Sequence, residues 1–277
     1  MKRSILIVAI LFITIASVLG FNHYSGKNQI SAFVEKIQKV VKNKLGFGGI
    51  NDILPATPSG DKEIVKHIAY TLSYCDKYKQ PYWVAYILTK TEVEAKDNPR
   101  KNNFREDPDV PTGSAVPADY AKSGYDKGHM APAGDFSWSE QAMSESFYMS
   151  NMSPQVPNLN RGLWSKLEAH VREWAVANDT VCIIVGPVLT SVTEFIGEKN
   201  KIGVPKYYYK VILDASVKGG FKAIAFIMPN EKIEGDFFRF AVSVDSVEKV
   251  TGYHFFPSLN QKIIKEIDKK FNLAEWK

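Results

Sequence analysis

Six short runs of β-branched and aromatic residues, set apart by turn-rich connections, constrain this chain more than any other feature. Ile68, Tyr70, Leu72 and Tyr74 alternate with smaller or polar neighbours, and Tyr82 to Thr89 follows the turn-like Lys77 to Pro81, which predicts a hairpin. Further strand-like runs lie at Thr180 to Val185, Lys206 to Leu213, Phe221 to Met228 and Phe237 to Val244. Between and after them the period changes to helical. Ser139 to Phe147 predicts a short helix, Leu159 to Ala177 a longer one with Leu163, Leu167, Val171 and Trp174 on one stripe, and Leu259 to Phe271 a closing amphipathic helix. The sum is an α+β domain, a mostly antiparallel central sheet with flanking helices. With 45% hydrophobic residues in 277 and no internal repeat, a disordered chain, a collagen-like repeat and a multi-span membrane protein are excluded.

The N-terminus reads differently. Lys2 and Arg3 stand before an uncharged apolar run from Ile5 to Leu19, and no acid occurs in the first 26 residues. A basic start and an apolar stretch shorter than the ~20 residues of a membrane span have the anatomy of an export signal. Ser17-Val18-Leu19-Gly20 is an imperfect cleavage site, so a removed signal and a retained anchor over residues 4–21 both stay open. The expectation is an exported protein, periplasmic or extracellular, secreted or held by an uncleaved segment. Ile30, Phe33, Ile37, Val40, Val41 and Leu45 then repeat at helical spacing among lysines, and a Gly/Pro-rich stretch follows. This divides the chain into a signal or anchor (1–20), an amphipathic helix and linker (21–58) and a main domain (59–277). The formal charge of +5 includes Lys2 and Arg3, so net charge does not by itself indicate a nucleic-acid partner. Cys75 and Cys182 fit no metal-ligand spacing and are either a disulfide or two buried thiols.

The chemistry concentrates after a polar, aperiodic stretch over 90–124, long enough inside a domain to suggest a functional loop. It delivers the chain to Tyr125-Asp126-Lys127-Gly128-His129-Met130-Ala131-Pro132, where a histidine beside a cation suits a general base. Asn151 and Asn160 follow. Asn160, Trp164 and Glu168 stand at i, i+4 and i+8 of the expected long helix, placing an amide and a carboxylate on one face. Those are hard oxygen donors, suited to a hydrated magnesium ion. Each residue alone has an ordinary alternative: Asn160 starting a helix, Glu168 pairing with Arg172, Asn151 forming a turn. Their joint occurrence has none. Lys199, Lys201, Lys206, Lys210, Lys218 and Lys222, against Asp214 alone and interleaved with Tyr207, Tyr208 and Tyr209, make either a nucleic-acid stripe or a lysine-protected strand edge.

These blocks resemble the DNA/RNA non-specific endonucleases, the sugar-non-specific group that includes endonuclease G and has a ββα-metal core. The likeness runs through Phe104-Arg105-Glu106-Asp107, Gly124 to Pro132, Phe147 to Asn160 and Trp164-Ser165-Lys166-Leu167-Glu168, and spans residues 64 to 260. Lys127 stands where the family has arginine, which keeps the charge and loses the bidentate fork. The resemblance implies a Mg²⁺-dependent endonuclease, with Mn²⁺ as a substitute, cutting DNA and RNA to leave 5′-phosphate ends, and the N-terminal segment adds the expectation that it is exported. His129 would be the general base and Asn160 the direct metal ligand. Glu168 would act through metal-bound water, and Asn151 would support the histidine or the phosphate. Lys127 and Arg100 join the catalytic set, Arg100 being slightly better spaced than Arg105 for an expected upstream arginine; Arg105, Arg172 and Lys206 would contact substrate. A catalytically weak nucleic-acid-binding relative and a membrane-associated phosphodiesterase are the alternatives, and a homodimer and an inhibitor protein stay open.

Overall fold

The computed structural model describes residues 49–57, 63–214, 221–269 and 271–277. The expected signal or anchor, the amphipathic helix, part of the linker and Lys218 lie outside the described residues. Eleven strands are found among these residues: β1 (Ile64–Lys66), β2 (Thr71–Cys75), β3 (Gln80–Thr89), β4 (Asp126–His129), β5 (Met152–Gln155), β6 (Thr180–Pro187), β7 (Glu194–Ile196), β8 (Ile202–Val204), β9 (Tyr207–Asp214), β10 (Lys222–Pro229) and β11 (Ala241–Val242). Seven form one sheet in the order β1-β2-β3-β6-β9-β10-β11, every neighbouring pair antiparallel. The predicted hairpin is β2-β3. β4-β5 and β7-β8 are separate two-stranded pairs.

Strict alternation along the long strands gives this sheet two apolar faces, because successive side chains point to opposite sides. Tyr86 and Leu88 of β3, Ile183 and Val185 of β6, Tyr208 and Ile212 of β9 and Phe226 of β10 cover one face, together with Leu167, Val171 and Trp174 of helix α3 (Ser165–Asn178). Trp83, Cys182, Ile184, Val211 and Leu213 cover the other, against Val244 and Val247 of helix α4 (Val244–Thr251) and Ile267 of helix α5 (Gln261–Lys269). Ile53, from the stretch read as linker, is buried in this second core, and Ala56 exchanges backbone hydrogen bonds with His254, both 2.8 Å. Cys75 and Cys182 are both buried free thiols, which decides the cysteine question against a disulfide.

Three expectations change. The polar stretch begins with a helix, α1 (Lys90–Glu94), closed by a Thr89/Glu92 capping box that the Thr-x-x-Glu pattern advertises. Phe237 to Val244 is not a strand. Asp236 accepts a hydrogen bond from the Phe238 N–H and starts a 3₁₀ turn over Phe237–Phe240, and Ser243 caps α4, leaving only Ala241 and Val242 to pair. The long helix from Leu159 is interrupted. A helical turn at Pro157–Leu159 runs into a π-turn over Asn160–Trp164, inside which Gly162 leaves helical geometry (φ −105°, ψ −113°). The i, i+4, i+8 face drawn through Asn160, Trp164 and Glu168 therefore does not exist as a straight helical stripe. Helix α2 (Glu140–Glu145) starts at Ser139, as the sequence predicts.

Candidate active site

His129 ends β4, which pairs with β5 so that His129 faces Met152 and Asp126 faces Gln155. Gly128 must lack a side chain, since a Cβ there would run into the side chain of Gln155. Asn151, completely buried, ties the strand end down. Its Oδ1 accepts from the Ala131 N–H, its Nδ2 donates to the Ala131 and Ser146 carbonyls, each at 2.9 Å, and its own carbonyl accepts from the Met130 N–H at 3.0 Å. The imidazole is 8% exposed, edge-on to Phe147 with ring centroids at 5.0 Å and tilted against Phe104 at 5.5 Å. Its Nε2 has no hydrogen-bond partner. Burial, and secondarily the charge of Arg100, push His129 down to a pKa of about 3, so the ring is neutral at pH 7.

The helical side faces the same region through two linked groups. Asn160 donates its Nδ2 to Asp126 Oδ2 at 2.9 Å, and Arg161 grips both oxygens of Asp126 at 2.8 and 2.6 Å. This leaves Asn160 Oδ1 without a donor among the described residues, at the start of the π-turn. One-turn π segments are frequent at functional sites. On α3 the Glu168 carboxylate makes no hydrogen bond or ion pair among the described residues. Burial raises its pKa to about 7, opposed chiefly by Lys210, while Asp135 raises it further and Arg172 and Arg100 lower it. Arg172 does not pair with Glu168; it binds Asp135 at 2.8 Å, and Asp135 also accepts from the Tyr86 hydroxyl at 2.9 Å.

Arg100 has its guanidinium over Phe147 at 4.9 Å, bonds Asn102 at 2.8 Å, and acts electrostatically on both His129 and Glu168. Arg105 lies over Tyr148 at 4.0 Å and donates to the Ser144 and Asn103 carbonyls. The Lys127 ammonium lies 4.9 Å over Phe104, on which His129 also packs. Lys206 is exposed. The lysine and tyrosine stripe is broken along β9: Lys210, Tyr208 and Tyr209 are fully buried, the Tyr208 hydroxyl donating to the Pro154 carbonyl and that of Tyr209 to the Tyr82 carbonyl, while Lys199, Lys201, Lys206 and Tyr207 are exposed; β9 lies between β6 and β10 and is not a sheet edge. Sequence reasoning missed Asp126, Asp135 and the Phe104/Phe147 walls. Asp126 was legible inside the quoted motif; Asp135 has no local signal.

A second polar group lies in the same unit. His67, Asp107 and Asp109 bring donor atoms within 4.8 Å of one another, a spacing that could hold a metal. Its atoms are engaged with one another: His67 Nε2 bonds Asp107 at 2.9 Å, Asp107 also accepts from Ser150, and the Asp109 N–H caps it at 3.0 Å. Ser150 precedes Asn151, so this group braces the segment that holds the histidine.

The β4-β5 pair thus brings His129, buried and unpartnered at Nε2, to one side of the chain's course into α3, a course that carries the Asn160 amide and the Glu168 carboxylate. The family model for DNA/RNA non-specific endonuclease matches residues 53–262, and the chain belongs to that family. It is 36% identical over 234 residues to the mitochondrial nuclease EXOG of Danio rerio, 77% of this chain and 66% of that one. It is 32% identical to the mitochondrial endonuclease G of Homo sapiens (69% and 68% covered) and 30% to a nuclease of Syncephalastrum racemosum (83% and 78%). The chain thus spans about two thirds of the first two relatives. A crystal structure of an EndoG/EndoGI complex superposes with a TM-score of 0.70 at 33% identity, covering 77% of this chain and 91% of the other. These names correct the expectation of export. EXOG and endonuclease G are mitochondrial nucleases and not exported ones, and among the described residues no helix is long and apolar enough to cross a membrane.

Proposed function

We propose that this chain hydrolyses the phosphodiester bonds of DNA and RNA with little sequence preference, with His129 as the general base. The observation that carries the reading is the imidazole itself: buried, neutral at pH 7, and with an Nε2 that no protein group occupies. Such a nitrogen can take a proton from an attacking water, a contribution worth typically ~10²–10⁴-fold in rate. Asn151 has no polar group left over and acts by fixing the backbone on either side of the base. Arg100, whose field reaches His129 and Glu168, is suited to a non-bridging phosphate oxygen. Lys127 adds charge beside Phe104 without the two-point grip of an arginine.

The donor set fits a hard divalent cation. Asn160 Oδ1 is held in place through the bond its own Nδ2 makes to Asp126, and Glu168 has an uncommitted carboxylate. Asn160 would be the direct ligand of Mg²⁺, or of Mn²⁺ in its stead, and Glu168 would bind through water. A cation there supplies charge neutralisation at the phosphate and an acidic water for the leaving oxygen. Arg172, held by Asp135, Lys206 on the surface, and Arg105 behind Tyr148 complete the cationic surround. Contacts of this kind read phosphate and not base edges, which is the basis for expecting low specificity. The test is a digest of supercoiled plasmid and of RNA with the purified protein, with and without EDTA. Both should be cut, EDTA should stop it, and His129→Ala should cut neither; wild-type-like cleavage by that variant overturns the assignment.

A further inference from the structure

Lys210 is the one lysine in the buried class among the described residues, at 0% exposure. It occupies the middle of β9 between Tyr208 and Ile212, opposite Val185 on β6 and Phe226 on β10, all on the face covered by α3. Its ammonium has no hydrogen-bond partner and stands 4.9 Å from the ring of Trp164, the residue on which α3 begins. Burying an ammonium in an apolar layer is costly unless an opposite charge compensates it. Trp164 is the N-cap of α3 and Glu168 is the acid of its first turn, so the ammonium lies under the turn that carries this carboxylate; burial lowers the Lys210 pKa, and Glu168 first and Asp135 second oppose that. Asp135 is already served by Arg172 and Tyr86. Glu168 has no such partner, and Lys210 is the largest cationic influence upon it, ahead of Arg172 and Arg100.

We propose that Lys210 is a positioning residue of the active site: from the sheet beneath α3 its buried charge balances Glu168 and holds that carboxylate in place on the side of the site that would face a cation. The inference deepens the proposed function, since it takes Glu168 as part of the metal-water shell. Lys210 touches no substrate. The sequence leaves it in either a nucleic-acid stripe or a lysine-protected strand edge; β9 lies inside the sheet with both faces covered, which buries it.

The test begins without metal or substrate, so that its failure is separate from failure of the nuclease reading. Unfolding is followed in urea with EDTA for the wild type, Lys210→Met, Glu168→Gln, Asp135→Asn and the double variants pairing Lys210→Met with each. Lys210→Met and Glu168→Gln should be coupled by about tenfold in the unfolding equilibrium constant, the double variant being more stable than the sum of the singles allows. Additivity within a factor of about 2, or coupling to Asp135→Asn alone, overturns the proposal. If Lys210→Met does not fold, folding of the double variant with Glu168→Gln supports the proposal and its failure to fold overturns it. In turnover, Lys210→Met should lose kcat about tenfold or more with KM for DNA unchanged. A raised KM with kcat intact is the result of a phosphate-gripping lysine and contradicts the assignment.

Discussion

The His129 side chain concentrates the sharpest consequences at the residue scale. His129→Ala should retain the fold and lose activity by ~10²–10⁴-fold, read by plasmid cleavage beside an unchanged circular dichroism spectrum. Its depressed pKa has a sign. Between its ordinary value of 6.5 and about 3 the unfolded chain binds a proton that the folded ring refuses, so His129 makes the fold less stable as pH falls through that window. Glu168 acts oppositely. Raised from 4.5 to about 7, it binds its proton more readily when folded, so its contribution falls as pH rises from 4.5 to 7. Glu168→Gln should therefore gain stability relative to wild type as pH rises across that interval, measured by urea unfolding at a series of pH values; a flat difference would count against the assigned environment. Asn151→Ala strands a buried N–H and two buried carbonyls and should cost about 1–3 kcal/mol, with loss of activity from disorder around His129.

At the scale of elements, the candidate site is a join between the β4-β5 strand pair and a helix. Asp126 at one end of β4 fixes Asn160 and His129 sits at the other, so the spacing of His129 and Asn160 is set by four residues of strand and by the π-turn. Gly128→Ala should push Gln155 aside and spoil the β4-β5 register, reducing cleavage far more than stability, which parallel activity and melting measurements would separate. Strand and helix existence was legible because β3, β6, β9 and β10 are short, nearly continuous runs of β-branched, aromatic and other apolar residues, and α3 carries a clean stripe. What failed was the continuity of the helix at Gly162 and the strand at Phe237, where a backbone change and two capping side chains override the apolar pattern.

For the whole molecule, the two cores are closed by distant pieces of chain. Trp276, near the C-terminus, is 1% exposed and its carbonyl accepts from Trp174 Nε1 at 2.9 Å, so Trp276→Ala should cost about 3–5 kcal/mol in urea unfolding although it lies outside the family match. The sequence by itself determined the antiparallel sheet, the helix behind it and the family, because strand period and motif spacing are local properties of the chain. Only the tertiary structure decided the environments. It set Arg100 and His129 on the same Phe147 ring while packing Arg105 against Tyr148, paired Arg172 with Asp135, left both cysteines as thiols, and buried Lys210 in the core beneath α3. Burial and opposing charge arise between segments far apart in the chain, and no local pattern encodes them.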